Sequence, residues 1–164
     1  MTRSSQALRA MAFAVALLGL TGCNPGGHDA VTPQTQSTLA PYPADMEHLD
    51  EILALDSIEL PEGATNVSVE PAYEFERGYP RGWGYVVYFR ADEKDVQTFI
   101  EKNMSFELSW LDDWPVCEDT ILTQDFPYSE VEKPACALGK GPTRGAHFMF
   151  ERPLGRVWIS IQGE

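Results

Sequence analysis

The stretch WGYVVYFRADEKDVQTFI, residues 83–100, decides the fold. In its first half Trp83, Tyr85, Val87 and Phe89 share one face of an extended chain, and Val86 and Tyr88 share the other. β-Branched and aromatic side chains suit a pleated surface, and apolar residues on both faces predict a strand in a central position. At Asp92 the period changes. Asp92 stands at the N-cap of a helix, Glu93 and Asp95 fill its first turn, where negative side chains complement the helix dipole, and Val96, Phe99, Ile100 and Met104 form one stripe. The stretch therefore predicts a central strand followed directly by an amphipathic helix.

Working outward, DMEHLDEILALDS (45–57) sets Met46, Leu49, Ile52 and Leu53 on one face and Glu47, Asp50 and Glu51 on the other, which predicts a first helix. In LPEGATNVSVEPAY (60–73) a Pro-Glu-Gly turn precedes alternating Val67 and Val69, and Pro71 ends a short strand. YEFERGYPRGWGY (73–85) is expected to be a hairpin loop carrying Tyr73, Phe75 and Tyr79. Residues 103–142 are irregular and rich in Asp, Pro and Trp, long for an unsupported loop. AHFMFE (146–151) and RVWISIQ (156–162) read as a final hairpin turned by Arg152-Pro153-Leu154-Gly155. The expected fold is α+β: a small two-layer domain over 45–164 with an antiparallel sheet of about four strands, two helices on one face and an irregular loop held by a disulfide.

The N-terminus carries an address. The apolar run Ala10–Gly22 has 13 residues, whereas a bilayer-spanning helix needs about 20. Arg3 and Arg9 form a positive n-region ahead of an apolar h-region from Met11 to Leu20, the pattern of an export signal over 1–22. The sequence then reads Leu20-Thr21-Gly22-Cys23, which resembles the lipobox of bacterial lipoprotein precursors. The resemblance implies a diacylglyceryl group (palmitate-type acyl chains) on the Cys23 sulfur, cleavage before Cys23 by signal peptidase II, and a lipid anchor in the bacterial cell envelope. With Asn24 rather than aspartate after the cysteine, it implies the outer membrane in a Gram-negative host. In any other host it implies the extracytoplasmic face of the plasma membrane. An ordinary secretory signal with an incidental cysteine is the competing reading. The segment 60–100, from Leu60-Pro61 and Gly63-Ala64 through the aromatic strand and acidic-capped helix, also resembles small uncharacterised bacterial lipoproteins, a likeness that implies no activity.

Export permits disulfides. The chain has 3 cysteines. Lipidation of Cys23 leaves Cys117 and Cys136 as the only pair, with two separate buried thiols as the alternative. Residues 23–44, with Pro25, Gly26, Gly27, Pro33, Pro41 and Pro43 among Thr, Gln and Ser, read as a lipidated start and flexible tether. Removing residues 1–22 takes away two positive charges and no negative one, so the net charge of −13 becomes −15. Such a field repels nucleic acid and anionic lipid; it either steers a basic envelope protein or is simply a solvated surface.

No motif fixes a reaction. There is no G-x-S-x-G elbow, no calcium loop and no zinc spacing. His28, His48 and His147 are isolated, and no cofactor or metal is expected. Asp112, Asp113, Glu118 and Asp119 are close in sequence, but closeness is expected in a chain with 25 acidic residues. In SWLDDWPVCEDT, Trp110 and Trp114 flank Asp112 and Asp113 just before Cys117. They either form a contact surface for a protein or glycan or cover the sheet's core and edge. The expectation is a membrane-anchored, non-enzymatic binding module for another envelope protein; the alternative is a small envelope enzyme or glycan-binding module using these four residues.

Overall fold

The computed structural model describes residues 34–104, 117, 123–132, 134–143 and 145–164. In chain order the elements are α1 (Leu49–Ala54), β1 (Thr65–Pro71), α2 (Tyr73–Gly78), β2 (Trp83–Arg90), α3 (Glu93–Asn103), β3 (Ala135–Leu138), β4 (His147–Phe150) and β5 (Arg156–Gly163). The five strands form one antiparallel sheet in the order β1-β2-β5-β4-β3. The α+β class and the antiparallel sheet agree with the sequence. Among the described residues there are five strands rather than about four, and three α-helices rather than two.

The fifth strand is β3. It lies in the stretch that looks irregular because Ala135-Cys136-Ala137-Leu138 is short and lacks β-branched residues. Pairing with β4, from Ala135↔Phe150 to Leu138↔His147, stabilises it where propensity does not. The extra helix is α2, six residues in the segment expected to be a hairpin loop. A helix of that length has too few internal hydrogen bonds to be stable alone, and a long-range contact described below completes it.

Strand alternation divides the interior in two. Tyr85, Val87 and Phe89 of β2, Val157, Ile159 and Ile161 of β5, and Phe148 and Phe150 of β4 pack with Ile52 and Leu53 of α1 and Val96, Phe99, Ile100 and Met104 around α3. The α3 stripe is fully used: Val96, Ile100 and Met104 have no exposed surface. Phe99 meets Phe89 and Phe148 edge-on, at ring separations of 5.2 and 5.9 Å. Asp92 occupies the N-cap position, and its carbonyl accepts from the amides of Asp95 and Val96, although its side chain makes no capping bond.

The opposite face carries a second cluster. Val86, Met149 and Trp158 pack there with Ala72 and Phe75 at α2 and with Phe126 and Val131 of the connection to β3. Cys117 and Cys136 are joined by a disulfide and lie against this cluster, as the sequence leads one to expect. Helices therefore do not all sit on one face: α1 and α3 belong to the first cluster, and α2 belongs to the second.

The ordered domain also starts earlier than composition suggests. Within the segment 23–44 that reads as a tether, residues from Gln34 onward are laid against the domain. Both backbone groups of Tyr42 meet the Tyr85 hydroxyl: the amide donates to it at 2.9 Å and the carbonyl accepts from it at 2.7 Å. Further along, the Ser37 amide donates to the Glu76 carboxylate at 2.8 Å. Ala40, Tyr42 and Ala44 pack on the first cluster. Among the described residues no helix is long and apolar enough to cross a membrane.

Candidate functional site

Among the described residues the second face of the sheet is only partly covered, and it carries a groove of about 500 Å³. Strand register builds its floor. Ser68 lies opposite Tyr88, and Tyr88 opposite Trp158; one row over, Glu70 lies opposite Val86. All of these side chains fall on one face because the period of a strand is two. Pro71, Tyr73, Asp125, Pro127, Glu130 and Arg156 are the other described residues of the lining.

Asp125 fixes one wall. Its carboxylate accepts from the amides of Glu74 and Phe75, at 2.8 and 3.0 Å, and so caps α2 from 50 residues away. Those amides belong to the orphan donors of a helix start, and Ala72 at the N-cap position has no side chain able to serve them. The cap thus joins the connection that precedes β3 to the helix beside the groove. Burial pushes the Asp125 carboxyl above its ordinary range, against the lowering effect of the Phe75 amide and the Arg77 charge. Glu76 is shifted up in the same sense by burial, opposed by its bonds from Ser37 and Gly84.

The aromatic side of the groove is tied to a cation from the protein itself. Tyr88 and Trp158 are 5.2 Å apart with their planes inclined at 44°. The Arg156 guanidinium lies 5.3 Å from the Trp158 ring. It is held there by the Glu151 carboxylate, which accepts from Nε at 2.5 Å, and by the Glu130 carbonyl, which accepts from an outer nitrogen at 3.3 Å. Arg156 is thereby neutralised within the fold. Glu70 and Glu130 are exposed, and among the described residues no cation pairs with either carboxylate.

Cys23, Trp110, Asp112, Asp113 and Trp114, together with Glu118 and Asp119, lie outside the described residues. His147 is on the second face opposite Ser160, but Ser160 is buried and its hydroxyl accepts from Gln162 at 2.6 Å. Burial pushes the His147 imidazole below its ordinary value, and no hydrogen bond joins it to Ser160. This pair has neither the contact nor the access that nucleophilic catalysis needs. His48 is a local partner of Asp45, 2.7 Å away. Among the described residues no three His, Cys, Asp or Glu side chains are placed to share a metal ion.

Sequence reasoning offers Tyr73 only as a loop aromatic, for contact or for cover, and misses Tyr88, Asp125 and Arg156 as its partners in one site. Tyr88 is legible as a residue on the second face of β2, and a helix lacking its own cap is a sign that one comes from a distance. Which residue supplies it is decided by tertiary structure. No protein-family model, curated protein or solved structure matches the chain.

Proposed function

We propose that the protein is a lipid-anchored, non-enzymatic binding module of the bacterial envelope, and that it holds another envelope protein through the groove on the second face of the sheet. Lipidation at Cys23, cleavage before it and the envelope address rest on the Leu20-Thr21-Gly22-Cys23 sequence. The binding role rests on one observation: Tyr73 and Tyr88 line a single groove on the sheet together with Glu70 and Glu130, whose carboxylates pair with no cation among the described residues. Tyrosine offers area and a polar tip at low conformational cost, which suits a contact surface better than a reaction centre. The groove offers hydrogen bonds and charge, and the half-buried carboxylate of Asp125 is committed to capping α2.

The test is site-specific crosslinking in cells. A photo-crosslinking residue in place of Ser68, on the groove floor, is expected to give a discrete adduct with one envelope protein. The same residue in place of Thr98, exposed on α3, is expected to give none. Equal labelling from both positions, or none from Ser68, overturns the assignment.

A further inference from the structure

The groove also indicates what chemistry it accepts, an inference that rests on the binding reading above. We infer that the groove takes a cationic side chain, preferably arginine, from an extended basic segment of the partner, with the guanidinium lying against Tyr88 and its charge met by Glu70 and Glu130.

Three observations carry this. The first is charge. Among the described residues the groove lining holds Glu70, Asp125 and Glu130 against one cation, Arg156, which Glu151 already neutralises. With Asp125 committed to α2 and facing Arg77, which is itself paired with Glu74, Glu70 and Glu130 are two exposed carboxylates that no cation pairs with among the described residues. The whole chain has the same sign, with 25 acidic residues against 12 basic. An acidic field raises the on-rate of a basic partner and excludes acidic competitors.

The second is the fold's own occupant. Arg156 already places a guanidinium beside Trp158 at the end of this aromatic pair. A planar, weakly hydrated guanidinium is attracted to an aromatic face, and more strongly where water is excluded. Tyr88 is the neighbouring ring and is only half-buried, so it can offer a second guanidinium what Trp158 offers the first.

The third is shape. The floor runs from Trp158 of β5 across β2 to β1, the edge of the sheet, so among the described residues no further strand closes that side. An extended segment can enter sideways without threading, and alternate side chains of a strand-like peptide would point into it.

The experiment uses the full mature chain and a labelled peptide, acetyl-(Gly-Arg)3-amide, read by fluorescence anisotropy at low salt. The comparison peptide has citrulline at the three arginines, which keeps the shape and removes the charge. The arginine peptide is expected to bind at least about tenfold more tightly than the citrulline peptide. The double variant Glu70→Gln/Glu130→Gln is expected to weaken it by about tenfold. An equal charge change on the other side of the molecule, Glu93→Gln/Glu101→Gln on α3, should leave binding within about twofold.

Equal weakening by both double variants means diffuse attraction by the acidic chain and overturns the site. If neither arginine nor citrulline peptide binds while the Ser68 crosslink still forms, the cationic ligand class is wrong and the binding module stands. Binding of chito-oligosaccharide that is lost in Tyr88→Ala would show a glycan surface and overturn the inference. All the carboxylates changed are exposed, so the variants are expected to fold, and matching circular dichroism melts check this.

Discussion

Tyr85→Phe isolates the contact that makes residues 34–44 part of the domain. The ring of Tyr85 is wholly buried in the first core, so phenylalanine keeps the packing and removes only the hydroxyl. Burial raises the Tyr85 pKa, so in neutral solution the group stays protonated and can donate to the Tyr42 carbonyl while accepting from its amide. The carbonyl keeps a second donor, Gln36 Nε2 at 2.9 Å, but the amide loses the partner it has. A lost hydrogen bond has a net effect of about 0.5–1.5 kcal/mol, and a buried donor left unpaired costs about 1–3 kcal/mol. Because the contact is only partly buried, water recovers some of this, and the expected loss is about 1–2 kcal/mol. With a urea slope of about 2 kcal/mol per molar, typical of a domain this size, the unfolding midpoint should fall by about 0.5–1 M. Hydrogen exchange separates local from global effects. The Tyr42 amide should lose protection beyond the global loss, whereas Val87, in the central strand, should follow the global loss alone. An unchanged midpoint together with unchanged Tyr42 protection would refute the view that this hydroxyl pins the N-terminal segment.

Three further outcomes are expected. Asp56→Asn should raise Tm at pH 7 by about 1–3 °C, because burial lifts the Asp56 pKa and its Oδ2 is buried without a partner. The folded state holds that proton more tightly than the unfolded state, so the penalty on the charged form disappears as pH falls through the raised pKa. The difference between variant and wild type should accordingly shrink between pH 7 and pH 4.5 in thermal melts, and a constant difference would contradict the assignment. Gly139→Ala should destabilise by about 2–4 kcal/mol in denaturant titration, because a Cβ there would lie 1.8 Å from the Thr143 carbonyl oxygen, a backbone atom that cannot move aside. Reducing the Cys117–Cys136 disulfide, whose cysteines are 19 positions apart, should cost about 3 kcal/mol on the chain-entropy model; equal urea midpoints with and without reductant would show that the bridge contributes nothing.

The parts of the fold that are legible in the sequence are those where local periodicity and burial agree. The β2 strand and α3 helix satisfy both, so Trp83–Arg90 and Glu93–Asn103 can be read from residues 83–104. The final hairpin is legible because Pro153 and Gly155 punctuate two apolar runs. What escapes is structure made by distant partners. Ala135–Leu138 is a strand because β4 pairs with it, and Tyr73–Gly78 is a helix because Asp125 caps it and Phe75 finds the second core. Residues 34–44 have the composition of a linker, and it takes Tyr85 and Glu76, far along the chain, to order them. The groove escapes for the same reason. Glu70, Tyr88 and Glu130 are each ordinary surface or strand residues until the register and the α2 cap bring them together.

Filling the groove tests the binding function most directly. Ser68 is partly exposed on its floor, so Ser68→Trp adds bulk over Tyr88 without entering either core. Partner capture by the lipidated protein should be measured for wild type and Ser68→Trp, with Thr98→Trp on α3 as the size control and thermal melts to confirm folding. Loss of capture in Ser68→Trp alone, by about tenfold or more, is the expected result. Full capture by a folded Ser68→Trp protein would show that the partner is held elsewhere and would contradict the groove as the functional surface.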